Sequence, residues 1–502
     1  MNSRLDLLLV NAPSREGVYQ NLSPYTAIEP PVWAGLIARY CLNRGFNVHI
    51  LDAEAEGLTV EQTAERIISL QPRLATFCIY GHQPSASTQC LPAASAVVKE
   101  MLWRTASDPF SGTGMSSIPT VALGTHMSAL PERTLREEPF DYVCQGEGPR
   151  TIVGFLDRSP NPPGLWSKRS GAHNQPAPNI EDLDIEIPNQ AWELLDMKKY
   201  RPHHWHAWMG DPEGGYASVQ TSLNCVFSCA FCCISAPFGD RKMRFWSPGN
   251  VFGQIINLVH TYGITNLKFP DEMFCLNRQH VKAICNLLIE ADLGDQLNIW
   301  AYARVDTVKD TELLDLMRRA GFKDLGIGIE SASKHVRDGV EKGRFGTEQI
   351  LEAVKRVNAA GIHVGANFIF GLPDDTLESM QETLDLACEI NAPYSNFYCA
   401  MAYPGSPLHR MAKEKGWRLP EDPGGPGWRG YSQHAYETLP LPTETLTAEQ
   451  VLDFRDEAWV KYHQRPAYLH MLQNTFGPRA VEDMKTILAH GKPKRKHREE
   501  KI

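Results

Sequence analysis

Four cysteines fall within nine positions of the stretch TSLNCVFSCAFCC: Cys225, Cys229, Cys232 and Cys233. A zinc ribbon needs a second ligand pair downstream, and Cys275 and Cys285 stand alone. A thioredoxin-type redox pair would use Cys229 and Cys232 but leave Cys225 idle. An iron–sulfur cluster uses the whole x3, x2 spacing. Three thiolates on one compact loop hold three irons of a [4Fe–4S] cube and leave the fourth iron open. Cys233 then reads as a core thiol flanking the loop. The remaining eight cysteines are scattered singly among apolar neighbours and read as buried small hydrophobes.

The elements that must position this loop form two alternating series. In the first 150 residues, LDLLLVNAP, FNVHILD, LATFCIY, TVALG and DYVC read as strands between helical patterns such as Val32 to Gly45. That alternation predicts an open, flavodoxin-like parallel sheet, with ligands at the carboxyl ends of the strands, where Asn11, Asp52, Gly81 and Gly124 fall. Thr105 to Ser117 reads as a surface loop. Residues 159–215 are rich in proline and glycine and read as a wrapped linker. Its histidines His203, His204 and His206 are assigned to packing rather than to a metal. A second series, YASVQTS, TNLKF, LNIWAYA, DLGIGIE, HVGANFIFG and SNFYCAM, gives six β/α units, which suit a partial barrel with chemistry at its carboxyl ends. The predicted organisation is an α/β domain (1–158), a linker (159–215), a partial barrel (216–403) and a mainly helical cap with a basic tail (404–502).

Composition narrows the class. Hydrophobic content of 42% and charged content of 22% are those of a globular protein. A formal charge of −9 argues against nucleic acid as a partner. The basic run KPKRKHR (Lys492 to Arg498) reads as a solvated tail. No stretch has the length of a membrane span, and no cleavable leader is read. A cytoplasmic location is expected, where thiols stay reduced.

The cysteine triad, with Phe231 before its last member and directly after the first strand of a β/α series, resembles the radical SAM superfamily. The resemblance implies that Cys225, Cys229 and Cys232 hold the cluster and that the open iron chelates S-adenosylmethionine (SAM). It assigns Asp271 and Glu272 to the SAM amino group, Arg304 to its carboxylate, and Glu330 and Ser331 to its ribose, with NFIFGLPDD near the adenine.

A flavodoxin-like sheet before such a barrel resembles the cobalamin-binding members of that superfamily. GTHMSALPE and DYVCQGEGPRTI match the family's glycine turns, placing Gly124, Gly146 and Glu147 at the cofactor. Other cobalamin proteins of this fold supply a histidine to cobalt from Asp-x-His-x-x-Gly; here the chain reads Asp52-Ala-Glu54-Ala-Glu56-Gly57. With Glu54 in that place, cobalamin rests on the architecture and the glycine turns. Asn11, Asp52, Glu54, Tyr80, Ser85 and Ser87 are the expected contacts. FMN is the competing ligand for the crevice, and helix capping the competing role for Ser85 and Ser87. His82 and His126 read as hydrogen-bonded histidines rather than cobalt ligands.

The activity implied is methyl transfer to an unactivated carbon of a small molecule, with a flavodoxin or ferredoxin as external electron donor. Cyclisation or rearrangement without methyl transfer is the alternative. Tyr398, Tyr403, Tyr431 and His434 are the residues placed against the substrate, with packing of the cap as the competing account.

Overall fold

The run Leu7–Val10 is apolar on both faces of its strand and has no exposed surface, as the centre of a parallel sheet requires. In the computed structural model, which describes residues 4–81, 86–106, 118–168, 174–210, 214–343, 345–491 and 493–499, this run is the hub of a six-stranded sheet. The strands are β1 (Leu7–Asn11), β2 (Val48–Asp52), β3 (Leu74–Cys78), β4 (Thr120–Leu123), β5 (Tyr142–Cys144) and β6 (Leu165–Ser167), in the order β2-β1-β3-β4-β5-β6. The first five are parallel; β6 pairs antiparallel with β5. The chain crosses over β1 between β2 and β3, and this reversal opens a crevice at the carboxyl ends. The five strands are those read from the sequence. β6 arises in the segment read as linker, because three residues among prolines show no readable alternation. Residues 107–117 of the proposed surface loop lie outside the described residues.

The second sheet begins at β7 (Gly215–Ser218), and an antiparallel ribbon, β8 (Ser222–Leu223) with β9 (Arg244–Phe245), follows it. The cysteines lie between the two ribbon strands, so the ribbon closes the base of their loop. The sheet continues through β10 (Ile264–Lys268), β11 (Asn298–Arg304), β12 (Phe322–Glu330), β13 (His363–Phe370) and β14 (Tyr394–Cys399). All six strands are parallel and lie side by side in chain order, a half-barrel. Large rings share space with glycines here: a Cβ on Gly326 would lie 2.7 Å from Tyr302 Cδ1, and one on Gly365 3.1 Å from Trp300.

The helix His204–Met209 packs on this sheet through Asn298, whose amide donates to the His206 carbonyl at 2.9 Å and whose own carbonyl lies 3.0 Å from His206 Nε2. His204 Nδ1 meets the Tyr25 carbonyl at 3.1 Å, and His203 Nδ1 accepts from the His206 amide at 3.1 Å. Burial pulls His204 and His206 down to about 4, so both are neutral packing groups.

The C-terminal region bridges both sheets. The helix Ala448–His463 packs on β14, Trp428 Nε1 donates to Glu138 at 3.0 Å, and Ser432 Oγ donates to the Val18 carbonyl at 2.7 Å. The basic tail differs from the solvated run expected. Arg495 is 1% exposed and donates to Asp456, Ala435, Thr438 and Gln433. His497 and Arg498 reach Asp453. Acidic groups on the helix Ala448–His463 hold the tail down, a pairing that proximity in sequence could not reveal. Among the described residues no helix is long and apolar enough to cross a membrane.

Candidate active site

Asn224 sets the start of the cysteine loop. It takes φ +76°, a left-handed conformation that asparagine tolerates better than most residues. Its side-chain amide donates to Asp240 and Lys242, while its Oδ1 accepts from Cys225 N and Ser235 Oγ. One side chain thus ties the two ends of the loop together. Cys225 and Cys229 are 8% exposed, Cys232 is half-buried, and none of the cysteines is in a disulfide. Cys233 is buried against Gly405. The Phe231 ring packs against the apolar cluster of Ala230, Val336, Val340, Leu372 and Ala400.

The expected SAM contacts divide into two kinds. Asp271 is wholly buried and accepts from Thr221 N, Thr221 Oγ1 and Ser222 Oγ, so it fastens β10 to the base of the cysteine loop. Burial nevertheless pushes its carboxyl up to about 6. Glu272 has no hydrogen-bond partner among the described residues, and burial, then Asp271, raise it to about 7. Of the acidic pair, Glu272 is the one with free acceptors. Ser331 is also committed: its Oγ meets Thr383 and accepts from Ser333 N. Glu330, at the end of β12, takes φ +70°, and its carboxylate meets Lys342 Nζ at 2.6 Å with both side chains under one-tenth exposed. Lys342 Nζ also lies over the Phe231 ring.

Arg304 departs most from expectation. Its Nε and Nη2 form a fork on Asp306 at 3.0 and 3.3 Å, Nη2 also donates to the Lys342 carbonyl, and Nη1 lies 3.5 Å from Cys229 Sγ. The guanidinium therefore faces the cysteine loop. The side chain stacks over Phe227 at 3.8 Å, which fixes its plane.

The aromatic residues placed against substrate also separate. Tyr431 is fully buried and donates to Glu421, which is held in turn by His409. Tyr403 donates to the Tyr431 carbonyl. These two rings and Trp428 form a stack joining cap to N-terminal domain. His434 stacks on Tyr19 at 5.8 Å, and its Nδ1 has no partner among the described residues. Tyr398 lies on the last strand, and burial pushes its hydroxyl up.

In the N-terminal domain, Asn11 donates to Asp52, which also accepts from Ala55 N and Tyr200 Oη. Glu54 accepts from Ser14 N and Arg15 N, so it secures the turn after β1. Glu147 accepts from Arg244 and Ile180 N. Ser87 Oγ donates to the Ile79 carbonyl and accepts from His126 N. His126 meets Thr88 and the Trp428 ring, and burial takes it down to about 3. Ser85 and His82 lie outside the described residues. Two hydroxyls just past the carboxyl ends of β3 and β4 are less occupied. The buried Tyr80 hydroxyl and Thr125 Oγ1 have no partner among the described residues. Gly124 takes φ +150°, and a Cβ there would lie 2.1 Å from the Ile79 carbonyl oxygen.

Sequence reasoning missed an ionic link between the halves. Glu29, before the helix Val32–Leu42, reaches into the half-barrel and meets Lys268 Nζ at 2.6 Å. Lone charges more than two hundred positions apart give no local signal.

Two family matches coincide with the two sheets: the B12 binding domain over residues 22–156 and the Radical SAM superfamily over residues 219–387. The chain therefore carries a B12-binding domain followed by a radical SAM half-barrel. An uncharacterized methyltransferase of Pyrococcus horikoshii is 28% identical, covering 93% of this chain and 94% of that protein. The anaerobic magnesium-protoporphyrin IX monomethyl ester cyclase of Cereibacter sphaeroides is 24% identical over 88% of this chain and 68% of its own length. The structure of the radical SAM methyltransferase TsrM from Kitasatospora setae, with cobalamin and a [4Fe–4S] cluster bound, superposes with a TM-score of 0.66. It is 16% identical, and the match covers 97% of this chain and 99% of that one, so the shared fold spans both sheets and the cap.

The cofactors of a cobalamin-binding radical SAM methyltransferase are the cluster, SAM and cobalamin. The residues fit them. Three free thiols share one pinned loop beside the cations Arg304 and Lys342, a donor set suited to an anionic thiolate cluster. Among the described residues no three His, Cys, Asp or Glu side chains close on a single metal ion. A cube spreads its thiolates over three irons and asks for a wider arrangement. The unpartnered hydroxyls of Tyr80 and Thr125 suit the amide-rich rim of a corrin.

Proposed function

We propose that this enzyme transfers a methyl group to an unactivated carbon of a small-molecule substrate bound between the half-barrel and the C-terminal cap. The observation that carries the reading is a pinned loop of three free thiols at the carboxyl end of the half-barrel, in a chain that also carries a cobalamin-type sheet. Held by Cys225, Cys229 and Cys232, a [4Fe–4S] cluster would supply one-electron reduction of SAM, and cobalamin in the N-terminal crevice would supply a transferable methyl group.

In this reading Cys225, Cys229 and Cys232 hold the cluster, and Asn224 keeps their loop closed. Glu272 is the acceptor for the SAM ammonium, because Asp271 is spent on Thr221 and Ser222. Glu330 and Lys342 together present a charged edge to the nucleoside side of the site. Tyr80, Thr125 and Gly124 line the corrin crevice. Tyr398 and His434 face the substrate, while Tyr403 and Tyr431 position the cap. The electron comes from an external flavodoxin or ferredoxin. Water is excluded by the stacked rings of the cap and by Tyr19 beneath His434.

A second reading, cyclisation or rearrangement without methyl transfer, is favoured by the magnesium-protoporphyrin cyclase relative. Anaerobic protein reconstituted with iron, sulfide and cobalamin tests both. Incubation with methyl-labelled SAM and candidate small molecules should give 5′-deoxyadenosine and a labelled product. 5′-Deoxyadenosine with an unlabelled product supports the second reading, and no 5′-deoxyadenosine at all refutes both. Alanine at Cys225, Cys229 or Cys232 should remove the cluster's visible absorbance and its iron.

A further inference from the structure

We propose that Arg304 is a positioning residue for the cluster: it donates to the Cys229 sulfur and raises the cluster's reduction potential, rather than binding the SAM carboxylate. A carboxylate clamp needs a free fork of two parallel N–H groups. That face of Arg304, Nε with Nη2, is already taken by Asp306 at 3.0 and 3.3 Å. The second Nη2 hydrogen goes to the Lys342 carbonyl, and Nη1 points at Cys229 Sγ, 3.5 Å away. One N–H is left, and one is no fork.

The surroundings hold the guanidinium in that direction. Phe227, two residues before Cys229, lies flat against it at 3.8 Å. Arg304 is 4% exposed, so solvent screens its charge little. The Lys342 carbonyl that it binds belongs to the same residue whose ammonium pairs with Glu330. A cysteine ligand, its loop and the end of β12 are therefore tied through two adjacent cations, Arg304 and Lys342. Reduction adds negative charge to a thiolate-bound cluster, and a hydrogen bond to a ligand sulfur from a buried cation stabilises the reduced form more than the oxidised one. Arg304 thereby makes the first electron easier to accept.

The inference rests on the proposed reading that Cys229 is a cluster ligand. Iron and sulfide content of the Cys229→Ala protein tests that reading separately. The inference itself is tested on full-length, anaerobically reconstituted Arg304→Met and Arg304→Lys. Redox titration without SAM, followed by electron paramagnetic resonance, gives the potential; equilibrium binding of SAM gives affinity. At the poise that half-reduces the parent, the reduced-to-oxidised ratio should fall about tenfold in Arg304→Met, which is 59 mV for one electron. It should fall by less in Arg304→Lys, which keeps the charge but not the directed bond. Iron content and SAM affinity should stay within twofold. If SAM affinity falls tenfold while the potential stays put, Arg304 is the carboxylate clamp and the proposal is wrong. Should only Arg304→Met fail to load iron, Arg304→Lys decides by the same two readings. Iron loss from both variants also overturns it, because Arg304 would then build the loop rather than tune what the loop holds.

Discussion

Replacing Lys268 by methionine should loosen the joint between the two sheets. Lys268 Nζ and Glu29 Oε1 lie 2.6 Å apart with side chains 4% and 10% exposed, and Ser218 Oγ donates to the other Glu29 oxygen at 3.3 Å. Removing one member of a buried pair strands the other charge in a poorly solvated site, at a cost of about 3–5 kcal/mol. The Ser218 bond remains and keeps the expected loss near the lower end, about 3 kcal/mol. Glu29→Gln should cost a similar amount, because it leaves the ammonium facing a neutral amide. The double variant, Glu29→Gln with Lys268→Met, buries no charge at this point and should recover at least ~2 kcal/mol relative to the sum of the singles. Urea unfolding measures this from the midpoint shift at unchanged slope. Hydrogen exchange at residues 26–29 and along β10 should rise in the singles and return towards the parent in the double. Single variants within ~0.5 kcal/mol of the parent, or losses that simply add, would refute the claim that this pair joins the halves.

Asp52 carries a pH prediction. Burial raises its carboxyl to about 6 from the usual 3.8. A group whose folded value is raised lends stability that is complete below its unfolded value and lost as pH climbs through the folded one. Asp52→Asn does not titrate there, so its stability relative to the parent should grow between pH 4 and pH 7, by ~3 kcal/mol at most. A flat difference across that window would show that Asp52 ionises freely in the fold. Gly124→Ala should cost at least ~2 kcal/mol, combining left-handed strain with displacement of the Ile79 carbonyl. Gly146→Ala shares the positive φ, but its nearest neighbour is 3.5 Å away, so it should cost only the strain, about 1 kcal/mol. Equal urea midpoints for the two would remove the steric part of the argument.

Local patterns made much of the molecule readable in advance. The cysteine spacing is a short-range property, and an apolar run such as Leu7–Val10 declares a buried parallel strand without reference to anything distant. Both sheets and the cysteine loop follow from such patterns. Short elements without periodicity escaped, β6 among them. So did the basic tail, whose Arg495 is buried only because Asp456 waits for it on another helix.

The sequence by itself determined which residue types stand at the carboxyl ends of the strands: thiols after β7, two carboxylates after β10, an arginine ending β11 and a glutamate ending β12. Only the tertiary structure decided which of them are free. Asp271 and Glu272 are neighbours in sequence, yet Asp271 is consumed by Thr221 and Ser222 while Glu272 is not. Arg304 carries five donors whatever the fold, and Asp306, Lys342 and Cys229 turn them towards the cysteine loop. The physical reason is that a side chain's chemistry is set by its covalent structure, whereas its availability is set by which polar groups share its desolvated surroundings. Those groups come from chain segments whose distance along the sequence carries no record of their meeting.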